Sequence, residues 1–303
     1  MPIVMKMNKY TTTIRTTQQL LDQGYTHDSI RRGLADQQLT RIRKGIYCPT
    51  AWWSSLKPHE IYRVHIAAVH ISDPTTTFSH AAAACLHGLA LAKTPPAVDI
   101  VGPPDSRGRA AGTRKHYTYK PIEEHRTLVG GFRVTGLVQT VVDCSRFLPF
   151  EEATVIADSA LHQGLASVEG LAHELSQVTG WGSSKCRRVM NAMSPFAESP
   201  GETLLRLILI EAGLPAPAEQ VEVTLRGLRY RVDLAYTDYR IALEFDGEMK
   251  YENFGPRHKA EWAERRRESL LQNSGWTVRR YRWVDLMTRR AEIAAEIRYL
   301  LDR

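Results

Sequence analysis

The chain has 303 residues, with 40 Lys and Arg against 33 Asp and Glu and a formal net charge of +7. This length suits two or three domains with a sizeable core, and the ordinary composition argues against wholesale disorder. No apolar run reaches a membrane span and no long apolar signal core opens the chain. Cys48, Cys85, Cys144 and Cys186 stand singly, without metal or redox spacing, so the expectation is a cytoplasmic α/β (α+β) protein with buried free thiols and no membrane partner.

Residues 1–50 hold eight basic and three acidic side chains, a balance that points toward a polyanion. RTTQQLLDQGY predicts a short helix with Thr16 or Thr17 as cap and Gly24 as stop. Thr26 caps a second predicted helix, with Ile30 and Leu34 as its inward stripe and Arg31 and Arg32 on an exposed flank. LTRIRKGIY predicts a two-stranded ribbon carrying Arg41, Arg43 and Lys44 around a turn at Gly45. Helix, turn, helix and basic ribbon is the order of a winged helix-turn-helix, whose second helix enters the major groove and whose wing meets phosphates. The plainer reading is a small helical cap with solvated charge.

Residues 51–198 predict an α/β middle domain for packing, partner contact or DNA positioning. Helices are expected over Pro58–Ser72 and, Ala-rich, over Thr76–Leu91. His80 and His87 are seven apart, too far to share one metal on a straight helix, so a hydrogen-bonded core role is expected. AVDIVGPP predicts a strand, GFRVTGLVQTVVDCSRFL a strand running into a helix, and Phe150–Gly164, Ser167–Val178 and Ser183–Ala192 three further helices. Ser106–Lys120 is basic and Gly-containing and is expected to be a loop, one that touches DNA or one that is simply solvated. No nucleophile–base constellation stands out in this block.

Ser194–Ser199 reads as a joint. The last domain, residues 199–303, opens on a helix with Ser199 as cap, Pro200 at its first position and Glu202 at its third. Glu202 has a plain reading as a capping-box glutamate bonding back to the Ser199 amide. VEVTL predicts a strand, and Tyr230–Tyr236 and Arg240–Phe245 predict two more, joined through Thr237-Asp238-Tyr239 as a hairpin. Asp233 interrupts the first of these, and Glu244 and Asp246 sit at the end of the second. Carboxylates are rarely buried in a sheet unless something compensates their charge. Converging oxygen ligands would suit magnesium or manganese, whereas a lone acid in a strand is ordinarily on the solvent face. Glu261–Asn273 predicts a helix with a basic run at Arg265, Arg266 and Arg267, followed by a strand, WTVRRYRW, and a closing helix over Asp285–Leu301. Such a run is usually a solvated face; beside a carboxylate cluster it could hold a phosphate.

These patterns resemble two families. The hairpin, with Asp233 followed by Glu244-Phe245-Asp246-Gly247-Glu248-Met249-Lys250, resembles the PD-(D/E)XK nucleases, nearest the very-short-patch repair branch and its E-x-D-G-x-x-H segment. The lysine expected two residues after the glutamate is Asp246, and the histidine position holds Lys250. The amino-terminal region, with its Ser-His-x-Ala-Ala-x-x-Leu-His-Gly pattern in FSHAAAACLHGLAL, resembles AbiEi-type antitoxins, although MPIVMKMNKY represents their first helix poorly.

The resemblance implies a winged helix (1–50), an AbiEi-like middle domain (51–198) and a restriction-endonuclease-like domain (199–303). It further implies a Mg2+- or Mn2+-dependent DNA endonuclease, in a phage-defence context. Asp233 and Glu244 would be metal ligands, Asp246 a third ligand or water-orienting group, Glu202 a holder of a second ion, and Lys250 a charge beside the attacking water. Arg31, Arg32, Arg41, Arg43, Lys44 and Arg266 would contact DNA. The competing expectation is an AbiEi-type repressor whose nuclease domain has decayed, or one that neutralises a cognate toxin.

Overall fold

Three sheets and the helices that cover them make up an α+β chain; the computed structural model describes residues 3–102, 111–117, 126–225, 227–247 and 270–303. It divides into two compact units, Met1–Leu148 with Glu174–Cys186, and Pro149–His173 with Arg187–Arg303. No helix among the described residues is long and apolar enough to cross a membrane.

The first unit begins with α1 (Ile3–Thr13), so MPIVMKMNKY does contribute a leading helix. Met7, Tyr10 and Ile14 follow one another at helical spacing and are buried, which gives the segment the apolar stripe a helix needs. Then come β1 (Arg15–Thr16), α2 (Thr17–Asp22) and α3 (His27–Ala35). Thr16 and Gln19 cap α2 reciprocally, and Thr26 and Ser29 do the same for α3, satisfying amides that the first helical turn leaves open. On α3 the buried residues are Ile30 and Gly33, while Leu34 is half-buried. β2 (Leu39–Arg43) and β3 (Ile46–Pro49) form the ribbon, turning at Gly45 with φ +75°, and β3 lies between β1 and β2.

After α4 (Thr50–Ser54), α5 (Pro58–Ser72) occupies its expected span. The expected helix over 76–91 is shorter. Thr77–Phe78 instead form β4, paired with two other strands, and the helix α6 is His80–His87, ended by Gly88 at φ +86°. β5 (Val98–Gly102), β6 (Thr113–Tyr117), β7 (Arg126–Val129) and β8 (Phe132–Thr135) complete a mixed sheet in the order β6-β5-β4-β8-β7, and α7 (Leu137–Phe147) follows. Met7, Tyr10, Ile14, Ile46 and Cys48 share one core with Tyr62, Ile66, Phe78 and Val134, so the amino-terminal elements and this sheet are packed together.

His80 and His87 are core residues with partners. Nε2 of His87 lies 2.7 Å from the Thr135 carbonyl, and His80 stacks on His116 at 3.5 Å between centroids. Nε2 of His116 in turn lies 2.8 Å from Oδ1 of buried Asp99. Burial, reinforced by the charges of His116, Arg114 and Arg146, drives the His80 imidazole down to about 2.

α8 (Phe150–His162), α9 (Val168–Ser176) and α10 (Ser183–Ala192) come next. The second unit is built on α11 (Pro200–Glu211), whose residues Gly201 to Leu209 are all buried, as expected of a helix covered on every side. Its one buried cation, Arg206, reaches Asp158 at 2.6 Å and Glu219 at 3.3 Å. β9 (Ala218–Leu225), β10 (Leu228–Tyr236), β11 (Ile241–Asp246) and β12 (Thr277–Arg282) form the third sheet in the order β12-β11-β10-β9. β10 and β11 join through a single helical turn, Thr237–Tyr239, and Arg240 in the left-handed region. β12 is parallel to β11. The expected closing helix is two, α12 (Trp283–Thr288) and α13 (Arg290–Leu301), broken at Arg289, whose guanidinium bonds Asp285 on one side and Glu292 on the other.

Candidate functional site

The end of the β10–β11 hairpin lies under the first turn of α11. Gly201 makes this possible: a Cβ there would fall 2.3 Å from ring atoms of Phe245, so the helix rests directly on that ring. The ring is held from the side by Trp283, in an edge contact at 6.1 Å. The approach brings Glu202 to the splayed strand ends.

Glu202 is 7% exposed. Its Oε1 accepts from the Ser199 hydroxyl at 2.7 Å, and its Oε2 accepts from the Glu198 amide and the Gln220 side-chain amide, both at 2.9 Å. The capping bond thus comes from the Glu198 amide and the Ser199 hydroxyl, not from the Ser199 amide. Burial raises the Glu202 carboxyl above its ordinary range, and the charge of Asp233 raises it further, while the amide and hydroxyl donors pull the other way.

Asp233 is half-buried between Val232 and Leu234, which face the core. The β10–β11 pairing runs to Leu234 and Leu243. Beyond it, Oδ2 of Asp233 accepts the Phe245 amide at 2.8 Å, so a carboxylate takes the place of a strand carbonyl where the strands part. Glu244 is 6% exposed and stands in register with Arg280 of β12, whose Nε donates to its Oε2 at 2.9 Å. Asp246, half-buried at the end of β11, is in register with Arg282. Lys250 and Arg266 lie outside the described residues.

Glu202, Asp233 and Glu244 therefore come from three adjacent elements, with Asp246 one pleat further on. Carboxylate oxygens suit a hard divalent ion, and the mutual repulsion of Asp233 and Glu202 is what such an ion would relieve. Glu244 is different, because Arg280 already balances its charge. Among the described residues, no group of three or more His, Cys, Asp and Glu side chains is gathered tightly enough to hold a metal ion. No local motif marks Arg280 as the partner of Glu244. The double arginine in WTVRRYRW was visible, but its register with Glu244 depends on a parallel pairing 36 residues away.

The predicted DNA-contacting residues other than Arg266 lie in the first unit. Arg31, paired to Asp28 at 2.5 Å, Arg32, Arg41 and Lys44 are exposed. Arg43 is half-buried; burial lowers its guanidinium pKa, and its charge helps depress His65 on α5. The register shift between Arg41 and Arg43 bulges the ribbon at this point, re-aiming the side chain.

The chain is similar to two Mycobacterium tuberculosis proteins, MT2308 and Rv2248, both described as uncharacterized. Each is 29% identical over 181 residues, covering 58% of this chain and 64% of the relative. The matched part thus spans just under two thirds of those relatives' length. The crystal structure of the RV2827C protein from Mycobacterium tuberculosis aligns with a TM-score of 0.40 and 16% identity, over 73% of this chain and 87% of that one. No family model matches the chain.

Proposed function

We propose that the chain is a divalent-cation-dependent DNA endonuclease, with residues 199–303 carrying the chemistry and the amino-terminal basic ribbon of a winged helix serving DNA contact. The observation that carries this reading is the meeting of Glu202, Asp233 and Glu244 at one end of a sheet, where burial and then the charge of Asp233 raise the Glu202 carboxyl. Asp233, Glu244 and Glu202 would hold Mg2+ or Mn2+, with Asp246 orienting a water. When bound, the ion would lower the pKa of a water and neutralise phosphate charge. Phe245 and Gly201 fix the spacing of the acids, and Lys250 would set a positive charge near the scissile phosphate. The test is incubation with plasmid DNA, with and without Mg2+ or Mn2+, beside Asp233→Asn and Glu244→Gln. Cleavage that needs the ion and is lost in both variants supports the proposal. Undiminished cleavage by either variant removes that residue from the site.

One observation favours a second reading, a DNA-binding repressor with a decayed nuclease domain: the Arg280 guanidinium occupies Glu244 as a built-in counter-charge. Manganese binding separates the two. An active site binds Mn2+ in the unmodified protein, more tightly once Arg280→Met removes the competitor. A decayed one binds it in neither form.

A further inference from the structure

An aromatic side chain of the first unit is displayed to solvent by a tight, glycine-flanked loop. Trp181 is 65% exposed. It stands between Gly180 at φ +68° and Gly182 at φ +84°, two backbone positions that side-chain-bearing residues rarely adopt. A Cβ on Gly182 would lie 3.0 to 3.2 Å from atoms of Arg146, so the loop is packed tightly on α7. Nε and Nη2 of Arg146 both donate to the Trp181 carbonyl, at 3.3 and 3.1 Å. The backbone is gripped while the indole is left outside.

Cations and a second ring lie beside the indole. Cζ of Arg146 lies 5.9 Å from the ring centroid and Nζ of Lys185 lies 6.0 Å from it. Phe147 adds a tilted ring at 6.4 Å, and Cζ of Arg114 lies 5.3 Å from the Phe147 centroid. An exposed indole with two cations beside it matches a ligand made of flat bases and negative phosphates. A nucleic-acid strand supplies both at the spacing of one nucleotide.

We propose that Trp181 is a stacking platform for an unpaired base, with Lys185 and Arg146 meeting the phosphates on either side of it. This rests on the reading that the partner of this chain is nucleic acid, but not on the metal chemistry. It places strand contact in the first unit, separate from the basic ribbon.

The experiment is fluorescence anisotropy without divalent ions. Labelled single-stranded DNA, single-stranded RNA and duplex DNA of one sequence are titrated with the full chain, Trp181→Ala, Trp181→Phe and Lys185→Ala. Trp181→Ala should weaken single-strand binding by about 5- to 150-fold, the range for losing one stacked base, with an unchanged salt slope and melting temperature. Trp181→Phe should keep most of the affinity. Lys185→Ala should lower the slope of log affinity against log salt by about 0.7. The two single strands report whether the sugar matters. Equal affinity of wild type and Trp181→Ala for both single strands overturns the proposal, as does an equal loss on duplex and single strands accompanied by a lower melting temperature. Duplex binding by the wild type without single-strand binding sinks this inference alone, and no binding to any of the three sinks the endonuclease reading with it.

Discussion

Asp233→Asn tests the charge balance of the hairpin end without dismantling it. Asparagine keeps a carbonyl oxygen to accept the Phe245 amide, so the splay of β10 from β11 is retained. What disappears is the negative charge that helps raise Glu202. Two neighbouring carboxylates in a partly solvated site repel by about 1 kcal/mol. The sign follows from linkage. Glu202 has a raised pKa in the fold, so its contribution to stability is full below the unfolded value, about 4.3, and is lost as pH rises through the folded value. Asp233→Asn lessens that loss. The variant should therefore be more stable than wild type by about 1 kcal/mol at pH 8, and the gain should vanish near pH 4. A cation reverses the order: at ten times its dissociation constant, Mn2+ should add about 1.4 kcal/mol to wild type and less to the variant. Urea denaturation at pH 4 and pH 8, with and without Mn2+, gives all four numbers. A variant less stable than wild type at pH 8 in the absence of Mn2+ would refute the repulsion argument.

Gly201→Ala forces a methyl to within 2.3 Å of the Phe245 ring and should cost about 1–3 kcal/mol as overpacking, with Phe245→Leu in the same chain restoring part of it in thermal melts. Asp158→Ala strands the guanidinium of Arg206, which is 4% exposed, and should cost about 3–5 kcal/mol, softened by Glu219, as read from the urea midpoint. Burial pushes the Asp158 carboxyl up to about 6 against the pull of Arg206, Ser194 and Thr203. Its contribution in the wild type is therefore full below about 3.8 and is lost as pH rises through about 6, a slope that Asp158→Ala should flatten.

Local signals were the most legible part of the chain. Thr16, Thr26 and Ser199 cap the helices their spacing implied, Gly45 turns the ribbon, and the hairpin of Asp233 and Glu244 forms with its turn at Thr237–Tyr239. The caps depend on residues three positions apart, and the hairpin on a short turn between neighbouring strands. What failed to show depended on distant partners. Thr77–Phe78 were absorbed into an expected helix because two residues carry no periodicity; only β5 and β8 on either side make them a strand. Glu211, Arg290 and Glu151 form an ion-pair group whose members span 139 positions, and Asp158 with Arg206 spans 48. The spacing of His80 and His87 is enough to expect core residues rather than metal ligands. The stacking of His80 on His116, and the link on to Asp99, joins three segments that no local motif connects.

Glu202 poses the sharpest question, because its local surroundings are enough to explain an acid there. Three donors, the Ser199 hydroxyl, the Glu198 amide and the Gln220 amide, converge on its two oxygens, and only a carboxylate offers two acceptors. Glu202→Gln would turn one acceptor into a donor facing donors and should cost about 1–3 kcal/mol, offset in part by the lost repulsion with Asp233. Capping and coupling are separated by a double-mutant cycle. If Asp233 acts on Glu202 through its charge, the gain from Asp233→Asn at pH 8 should disappear in the Glu202→Gln background, a coupling of about 1 kcal/mol. If the gain is the same in both backgrounds, Glu202 is a helix cap that merely lies near the carboxylates. A cation site would then have to be sought between Asp233 and Glu244 alone, against the competition of Arg280.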